Sequence, residues 1–167
     1  RAAVEIERQR RDVALRVSEE RFRALYTNSP LQAYTYQRAG DDFRLVDCND
    51  AARQETDGRI DQLLGKGVRE IYANQPAFFE VMERCFRERR AIRTETEFVY
   101  RSTGKRKWVA ASFVFVPQDL VMGAVDDITD RKDKEQEIQR LNDELEQRVR
   151  DRTSELEASQ ARLADAQ

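Results

Sequence analysis

The sequence predicts an α+β fold in which a five-stranded antiparallel sheet carries short helices on one face and is flanked by N- and C-terminal coiled-coil helices. Two observations support this fold class. All six glycines and all three prolines lie between residues 30 and 128, whereas the flanking segments contain neither and are rich in charge. Within the middle segment, stretches of strand-forming residues alternate with turn residues. We therefore divide the chain into an N-terminal helix at 1–28, a core at 29–128 and a C-terminal helical linker at 129–167.

The charge balance excludes some classes of function. Charged residues make up 37% of the chain, yet the net charge is only −2, which is not the basic footprint of a nucleic-acid-binding protein. No run of about 18 apolar residues is present, so we expect no membrane contact within this segment and a cytoplasmic location. The chain begins without Met and ends inside a helical pattern. We interpret it as a piece of a longer protein, whose membrane anchor, if it has one, lies outside this segment.

The chain contains no histidine. This absence excludes acid–base catalysis by histidine, histidine-ligated haem or metal, and a phosphate-accepting histidine within these residues. No nucleophile–base pair and no phosphate-binding loop stand out, so we do not expect the chain itself to be an enzyme. The two cysteines, Cys48 and Cys85, lie in ordinary apolar patterns and are predicted to be reduced core thiols.

The first segment predicts a helix with a weak apolar stripe. Ile6 and Val13 recur at heptad spacing, but Arg and Glu intrude on the stripe. Ser18 is a good helix cap, so we expect a second helical stretch to begin there. Asn28-Ser29-Pro30 is predicted to end the helix, because the residue before a proline disfavours helical geometry.

A hairpin and a short helix follow. Gln32–Gln37 and Phe43–Cys48 read as strands, joined by the turn residues Gly40-Asp41-Asp42. Asn49 and Asp50 are good caps for a short helix. Ile60, Leu63 and Leu64 then predict a single helical turn, stopped by glycine.

A longer helix is predicted from Pro76, which suits the first turn of a helix. Its apolar residues at positions 78, 82, 85 and 86 share one face, so this helix should bury one side.

Three further strands are predicted at Arg93–Arg101, Lys107–Val116 and Leu120–Asp126. The middle one is apolar on both faces. A strand with one wet face would alternate strictly, so we expect both faces of the sheet to be covered. The short helices would cover one face, and either a flanking helix or a partner subunit would cover the other, where alternation places Trp108.

The order of these elements and several short motifs resemble the PAS family, from about Ser18 to Lys132. Cys48-Asn49-Asp50-Ala51-Ala52 is similar to the family's step from strand to helix, and Leu64-Gly65-Lys66 is similar to its turn before the next short helix. Gly104 to Val109 resembles the start of the family's Trp-Val strand. Asp127-Ile128-Thr129-Asp130-Arg131-Lys132 closely resembles its exit motif. The resemblance implies a sensory module placed between two signalling helices.

The exit motif has a physical interpretation. Thr129 can cap the outgoing helix, and Asp127 can accept a charge-assisted hydrogen bond from a nearby Arg or Lys. The resemblance implies that Asp127, Ile128 and Thr129 form the hinge through which strain in the sheet reaches the helix.

The resemblance also implies a candidate pocket between the sheet and the short helices. The alternative is that its lining residues simply pack as core. A flavin-adduct cysteine motif and a haem-binding histidine are both missing, so no cofactor is predicted and an unidentified small ligand stays open. The expected lining residues are Tyr34, Tyr36, Phe79, Met82, Phe98, Tyr100, Val109, Ala111, Phe113, Val121, Gly123 and Val125.

The last segment predicts a parallel dimeric coiled coil, and the alternative is an ordinary solvated helix. Val149, Leu156 and Leu163 lie at seven-residue steps, whereas Leu141 and Leu145 precede them at four-residue steps, a stutter that changes the supercoil locally. The seam we predict comprises Ile138, Leu141, Leu145, Val149, Leu156 and Leu163.

The same segment resembles the linker before the dimerisation domain of sensor histidine kinases. We therefore expect a homodimer, formed through the flanking helices, that relays a signal to a downstream output domain in the same chain, a histidine kinase of a two-component system. The alternative is a small-molecule-binding module that controls a diguanylate cyclase.

Overall fold

The computed structural model describes residues 2–165. Arg1 and residues 166–167, which belong to the two predicted flanking segments, lie outside this range. The elements agree with the predicted α+β fold. In chain order they are α1 (Ala2–Thr27), β1 (Gln32–Ala39), β2 (Asp42–Cys48), α2 (Asp50–Glu55), a 3₁₀ turn (Arg59–Leu63), α3 (Val68–Ile71), α4 (Pro76–Glu88), β3 (Ile92–Val99), β4 (Arg106–Val116), β5 (Leu120–Asp127) and α5 (Thr129–Asp165).

Helix α1 is continuous, so the prediction of a second helical stretch at Ser18 is wrong. A serine inside a helix costs only a fraction of a kcal/mol (~0.5), and no Gly or Pro interrupts the segment. The helix ends at Thr27, just before Asn28-Ser29-Pro30, as the proline predicts.

The five strands form one antiparallel sheet in the order β2-β1-β5-β4-β3. The first and last strands of the chain are therefore neighbours, with Gln32 opposite Val125. The ladder between β1 and β2 is irregular between Thr35 and Tyr36, where β2 carries an extra residue.

The short helices and α4 contribute to a core shared with one face of the sheet. Asn49 caps α2 as predicted, since its side chain accepts a hydrogen bond from the amide of Ala52. Pro76 occupies the first turn of α4, also as predicted. Met82 and Cys85 are the buried residues of this helix. Both cysteines are free and buried, as predicted.

The opposite face of the sheet is covered only in part. Ala110 on β4 is 4% exposed, whereas Val114 on the same face is 45% exposed. Trp108 alternates with the inward-facing Val109 and is half-buried on this outer face, as predicted. The hydroxyl of Tyr26, near the end of α1, lies 3.2 Å from Oγ1 of Thr35. One copy of the chain therefore leaves apolar surface open beyond the end of α1.

The described residues divide into two compact units, one up to Asp127 and one from Ile128 onward. The second unit contains α5, a 37-residue helix. Among residues 2–165, none of the helices is both long enough and apolar enough to span a bilayer.

Candidate functional site

A cavity of about 350 Å³ lies between the inner face of the sheet, α4 and the short helices. This volume is in the range of small-molecule sites. The structure places eight of the sequence-predicted pocket residues in its wall: Tyr34, Tyr36, Phe98, Tyr100, Val109, Ala111, Phe113 and Val125.

The other four predicted pocket residues do not line the cavity. Phe79 packs against Phe43, with ring centroids 5.8 Å apart, and Met82 is fully buried in the core. Val121 is also fully buried, and Gly123 lies beneath the ring of Phe113. Val121 and Gly123 share the inward parity of the sheet and Met82 lies on the buried side of α4, but none of these residues borders the cavity. Phe79 is only half-buried on α4.

The helical wall of the cavity comes mainly from residues that the sequence interpretation did not assign to a pocket. Phe78 and Val81 project from α4, Ile60 from the 3₁₀ turn, and Thr56 and Tyr72 from the ends of α2 and α3. The rings of Phe78 and Tyr72 are in close contact, with centroids 4.3 Å apart. The helical periodicity of α4 could have indicated Phe78, but the short helices carry too little pattern to show which side faces inward.

A buried hydrogen-bond network lies at the β1 end of the cavity. The hydroxyl groups of Tyr34 and Tyr100 both donate to Oε1 of Gln32, each at 2.9 Å. Burial raises the pKa of Tyr100 to about 12 despite the hydrogen bond to Gln32, and burial also raises the pKa of Tyr34. Both phenols are therefore neutral at physiological pH.

A second phenol pair joins the sheet to the helical wall of the cavity. The hydroxyl oxygens of Tyr36 and Tyr72 are 3.4 Å apart, and burial raises the pKa of both groups. One of these hydroxyls donates to the other, so the pair retains one further O–H donor. The cavity therefore offers neutral phenols and aromatic faces, and its charged lining residues are Glu97 and Arg101, which are exposed.

Side-chain-to-backbone hydrogen bonds join the helical layer to the β3–β4 hairpin beside the cavity. Gln75, which precedes α4, donates from Nε2 to the carbonyl of Val99 at 2.9 Å and accepts from the Val99 amide at 3.3 Å. Arg59 donates to the carbonyl of Ser102 at 3.1 Å. These three contacts are exposed to solvent, whereas Arg101 adds a part-buried bond to the carbonyl of Ile71 at 3.3 Å.

Asn49 does more than cap α2. Its Oδ1 also accepts from the amide of Ala33 at 2.9 Å, and its Nδ2 donates to the carbonyls of Leu31 at 2.8 Å and Tyr26 at 3.1 Å. The side chain is 1% exposed. One amide thus ties the end of α1 to the start of β1 and to α2, which a cap signal in the sequence does not reveal.

At the end of β5, Asp127 pairs with a lysine, as predicted for this exit residue. Nζ of Lys107 lies 2.7 Å from Asp127 Oδ2 and 2.9 Å from Glu55 Oε1. Burial disfavours the charged amine, but the two carboxylates outweigh this effect and raise the pKa of Lys107. Lys107 therefore stays charged throughout the physiological range.

The start of α5 differs by one residue from the prediction. The carbonyl of Ile128 accepts the first helical hydrogen bond, from the amide of Lys132 at 2.9 Å. By this backbone criterion Ile128 occupies the cap position and Thr129 is the first helical residue. Thr129 was expected to be the cap because its hydroxyl suits that position better than an isoleucine side chain does.

The predicted seam residues of α5 are all exposed, from 49% at Leu141 to 68% at Leu163. Ion pairs within the helix lie alongside them, such as Arg140 with Glu137 at 2.8 Å. The exposed residues at the predicted seam positions are Ile138, Leu141, Leu145, Val149, Leu156 and Leu163.

The sequence profile of the PAS domain family matches residues 36–130, more than half of the chain. No curated protein matches. Similar solved structures include an RNA-binding light-oxygen-voltage receptor, at 17% identity and a TM-score of 0.60, with 75% of this chain and 37% of the receptor covered. The chain thus spans little more than a third of that receptor.

Two further structures align with the same fold. A domain of a sensory box sensor histidine kinase/response regulator from Geobacter sulfurreducens matches at 16% identity and a TM-score of 0.56, covering 68% of this chain and 96% of that domain. The PAS domain of an HTR-like protein from Haloarcula marismortui matches at 19% identity and a TM-score of 0.50, covering 72% and 99%.

Proposed function

The chain belongs to the PAS domain family, and from that premise we propose that it is a sensory module that dimerises through its flanking helices and relays a signal through α5 to a downstream output domain. The module itself does no chemistry. Its output domain, later in the same chain, is a histidine kinase of a two-component system, and both act in the cytoplasm.

The observation that carries this proposal is the exposed apolar seam of α5. Isoleucine, leucine and valine side chains recur between Ile138 and Leu163 of the helix yet stay in contact with water in a single copy. A repeated apolar stripe of this kind is stabilised by a second helix that carries the same stripe. Exposed apolar residues on α1, such as Val13 and Phe22, extend the argument to the N-terminal helix.

The spacing of the seam supports a role in relay. Four-residue steps between Leu141, Leu145 and Val149 interrupt the seven-residue steps that follow, so the supercoil winding changes along α5. A coil with such a discontinuity can be shifted between two packings by a small change at its start. The kinase assignment is supported by the resemblance of this linker and by the histidine kinase that contains the similar Geobacter domain.

The oligomeric state tests the proposal. By light scattering, the chain should have a mass near twice 19.6 kDa. Leu156→Lys should weaken the dimer by about tenfold or more, because it removes a buried leucine from each helix and adds two like charges. Ala161→Lys adds the same charge away from the seam and should leave the dimer intact. A wild-type chain that is monomeric at high concentration would refute the proposal.

A second function is favoured by the cavity. A void of about 350 Å³ lined by phenols and phenyl rings would accommodate an uncharged ligand with aromatic or aliphatic character. In this alternative, ligand binding sets the state of α5 and the output domain is a diguanylate cyclase. Thermal-shift measurements with neutral aromatic compounds test it. Stabilisation by one compound that Ala111→Phe abolishes would support binding in the cavity, and no stabilisation across the series would count against it.

A further inference from the structure

Three charged side chains from three different elements meet just beyond the cavity. Lys107 belongs to β4, Asp127 is the last residue of β5, and Glu55 is the last residue of α2. The amine of Lys107 lies 2.7 Å from Asp127 and 2.9 Å from Glu55. A second lysine, Lys105, is 3.8 Å from the same Glu55 oxygen.

This cluster is continuous with the cavity wall. Lys107 and Asp127 are two positions along their strands from Val109 and Val125, which line the cavity, so all four side chains project from the same face of the sheet. Glu55 immediately precedes Thr56, which lines the cavity on the helical side. A movement of the helical wall at Thr56 therefore moves Glu55 with it.

The contacts of Lys107 with Glu55 and Asp127 are partly shielded from solvent. The side chains of Lys107 and Glu55 are 24% and 19% exposed, and that of Asp127 is 35% exposed. Partial burial makes such pairs stronger than those on an open surface. The Glu55 contact is an ion pair at 2.9 Å whose geometry does not meet that of a hydrogen bond, so a displacement of α2 weakens it readily.

The cluster adds a connection that the sheet does not already provide. Backbone pairing places Val109 opposite Asp127, so the strands that carry Lys107 and Asp127 are held together without it. What Lys107 adds is a link from these strands to α2. When Glu55 moves away, the amine is left with Asp127 alone, and the balance of charge at the last residue of β5 changes.

We infer that Lys107 is a positioning residue that couples the helical wall of the cavity to the end of β5, where the outgoing segment begins. This inference rests on the proposed relay function and names a route for it inside one copy of the chain. A ligand or any other event that displaces α2 acts on Asp127 through Lys107.

A double-mutant cycle read by NMR tests this coupling in the full 167-residue chain. The variants are Glu55→Gln, Lys107→Met and the two combined, and the readout is the backbone amide resonances of residues 128–132. Glu55→Gln should shift these resonances in the wild-type background. In the Lys107→Met background, Glu55→Gln should shift these resonances several times less. A long-range field effect of the lost Glu55 charge would persist in both backgrounds, so the cycle separates it from coupling.

The pair Arg106 and Glu97 provides the matched control. Arg106 directly precedes Lys107 in β4, and its guanidinium lies 3.2 Å from the carboxylate of Glu97 in β3. Glu97→Gln removes one carboxylate, as Glu55→Gln does, and should leave the resonances of residues 128–132 in place. Lys107→Gln replaces Lys107→Met if the latter does not fold.

The inference is overturned if Glu55→Gln leaves residues 128–132 unchanged, or shifts them equally in both backgrounds. Either result would leave the dimeric relay standing with a different internal route. A monomeric chain that shows the coupling would instead refute the dimer and retain Lys107 as the link.

Discussion

The inner face of the sheet has two sides that are built from similar residues but filled differently. On the side nearest β2, Phe43 is fully buried and contacts Phe79 and Phe86, with ring centroids 5.8 and 5.6 Å away. On the other side, which extends from β3 to Tyr34 and Tyr36 of β1, Phe98 and Tyr100 also contact each other, at 5.2 Å, yet they border a cavity of about 350 Å³. We refer to these as the packed side and the cavity side.

The difference teaches that aromatic content alone does not distinguish a core from a pocket. On the packed side, phenyl rings contact one another. On the cavity side, four phenols need hydrogen-bond partners for their hydroxyl groups and find them in Gln32 or in one another. Stability is therefore expected to come mainly from the packed side, and ligand binding and movement from the cavity side.

The largest expected effect comes from truncating one phenyl ring on each side. Phe43→Ala should lower the free energy of unfolding by about 3–5 kcal/mol, because the void is surrounded by close-packed neighbours. Phe98→Ala should cost at least about 1 kcal/mol less, since its ring borders the cavity. Urea unfolding of both variants measures this. Equal losses of unfolding free energy would show that the packed side and the cavity side contribute equally to stability.

The next effect concerns buried polar groups. Asn49→Ala should lower the free energy of unfolding by about 2 kcal/mol or more, because it removes a helix cap and strands the buried amide of Ala33. Tyr100→Phe, on the cavity side, should cost about 1 kcal/mol or less, since Gln32 keeps its bond from Tyr34. Urea unfolding of both variants gives the two losses of unfolding free energy. A larger loss for Tyr100→Phe than for Asn49→Ala would contradict the expected order.

Alkaline pH should destabilise the folded chain in part through the cavity side, because its rings are phenols. The pKa of Tyr100 is raised from 10.0 to about 12 by burial. Between these values the unfolded chain binds fewer protons than the folded chain, so the free energy of unfolding falls as pH rises, by up to about 1.4 kcal/mol per pKa unit. Urea midpoints between pH 9 and 11 should show this decline, and Tyr100→Phe should make it shallower. An unchanged slope would mean that other groups, such as the Cys48 thiol with its pKa near 11, dominate.

The smallest effect is expected from adding methyl groups. Ala111→Val extends a side chain toward the cavity and should change the free energy of unfolding by less than about 1 kcal/mol. Gly123→Ala should destabilise more, because its Cβ would lie 3.1 Å from a ring carbon of Phe113. Thermal unfolding compares the two. If Ala111→Val lowers the thermal stability more than Gly123→Ala does, the cavity has no room for the added methyl groups at position 111.

Much of the fold could be predicted because its signals are local. The turn at Gly40 and the strand formers around it indicate the β1–β2 hairpin, and the cap chemistry of Asn49 indicates α2. Alternation along β4 correctly separates Val109 from Trp108. Each of these inferences depends on residues within a few positions of one another.

The site was harder to predict because its decisive contacts are long-range. Alternation along β5 shows that Val121 and Val125 both face inward. It does not show that Val121 is packed in the core whereas Val125 borders the cavity. Gln32, which holds two tyrosines, has no sequence signal beyond its place at the start of a strand. Lys107 meets Glu55 across 52 positions of sequence, and no local pattern indicates such a pair.

The sheet order has a consequence for how such a domain is built into larger proteins. Because β1 and β5 are paired at the centre of the sheet, Gln32 and Val125 lie directly opposite each other. The chain therefore enters and leaves the core at neighbouring points, a few ångströms apart. A unit with adjacent ends can be inserted into, duplicated within or removed from a host polypeptide with little disturbance to the path on either side. The strand order that forms the cavity thus also makes the core suitable for insertion into other polypeptides.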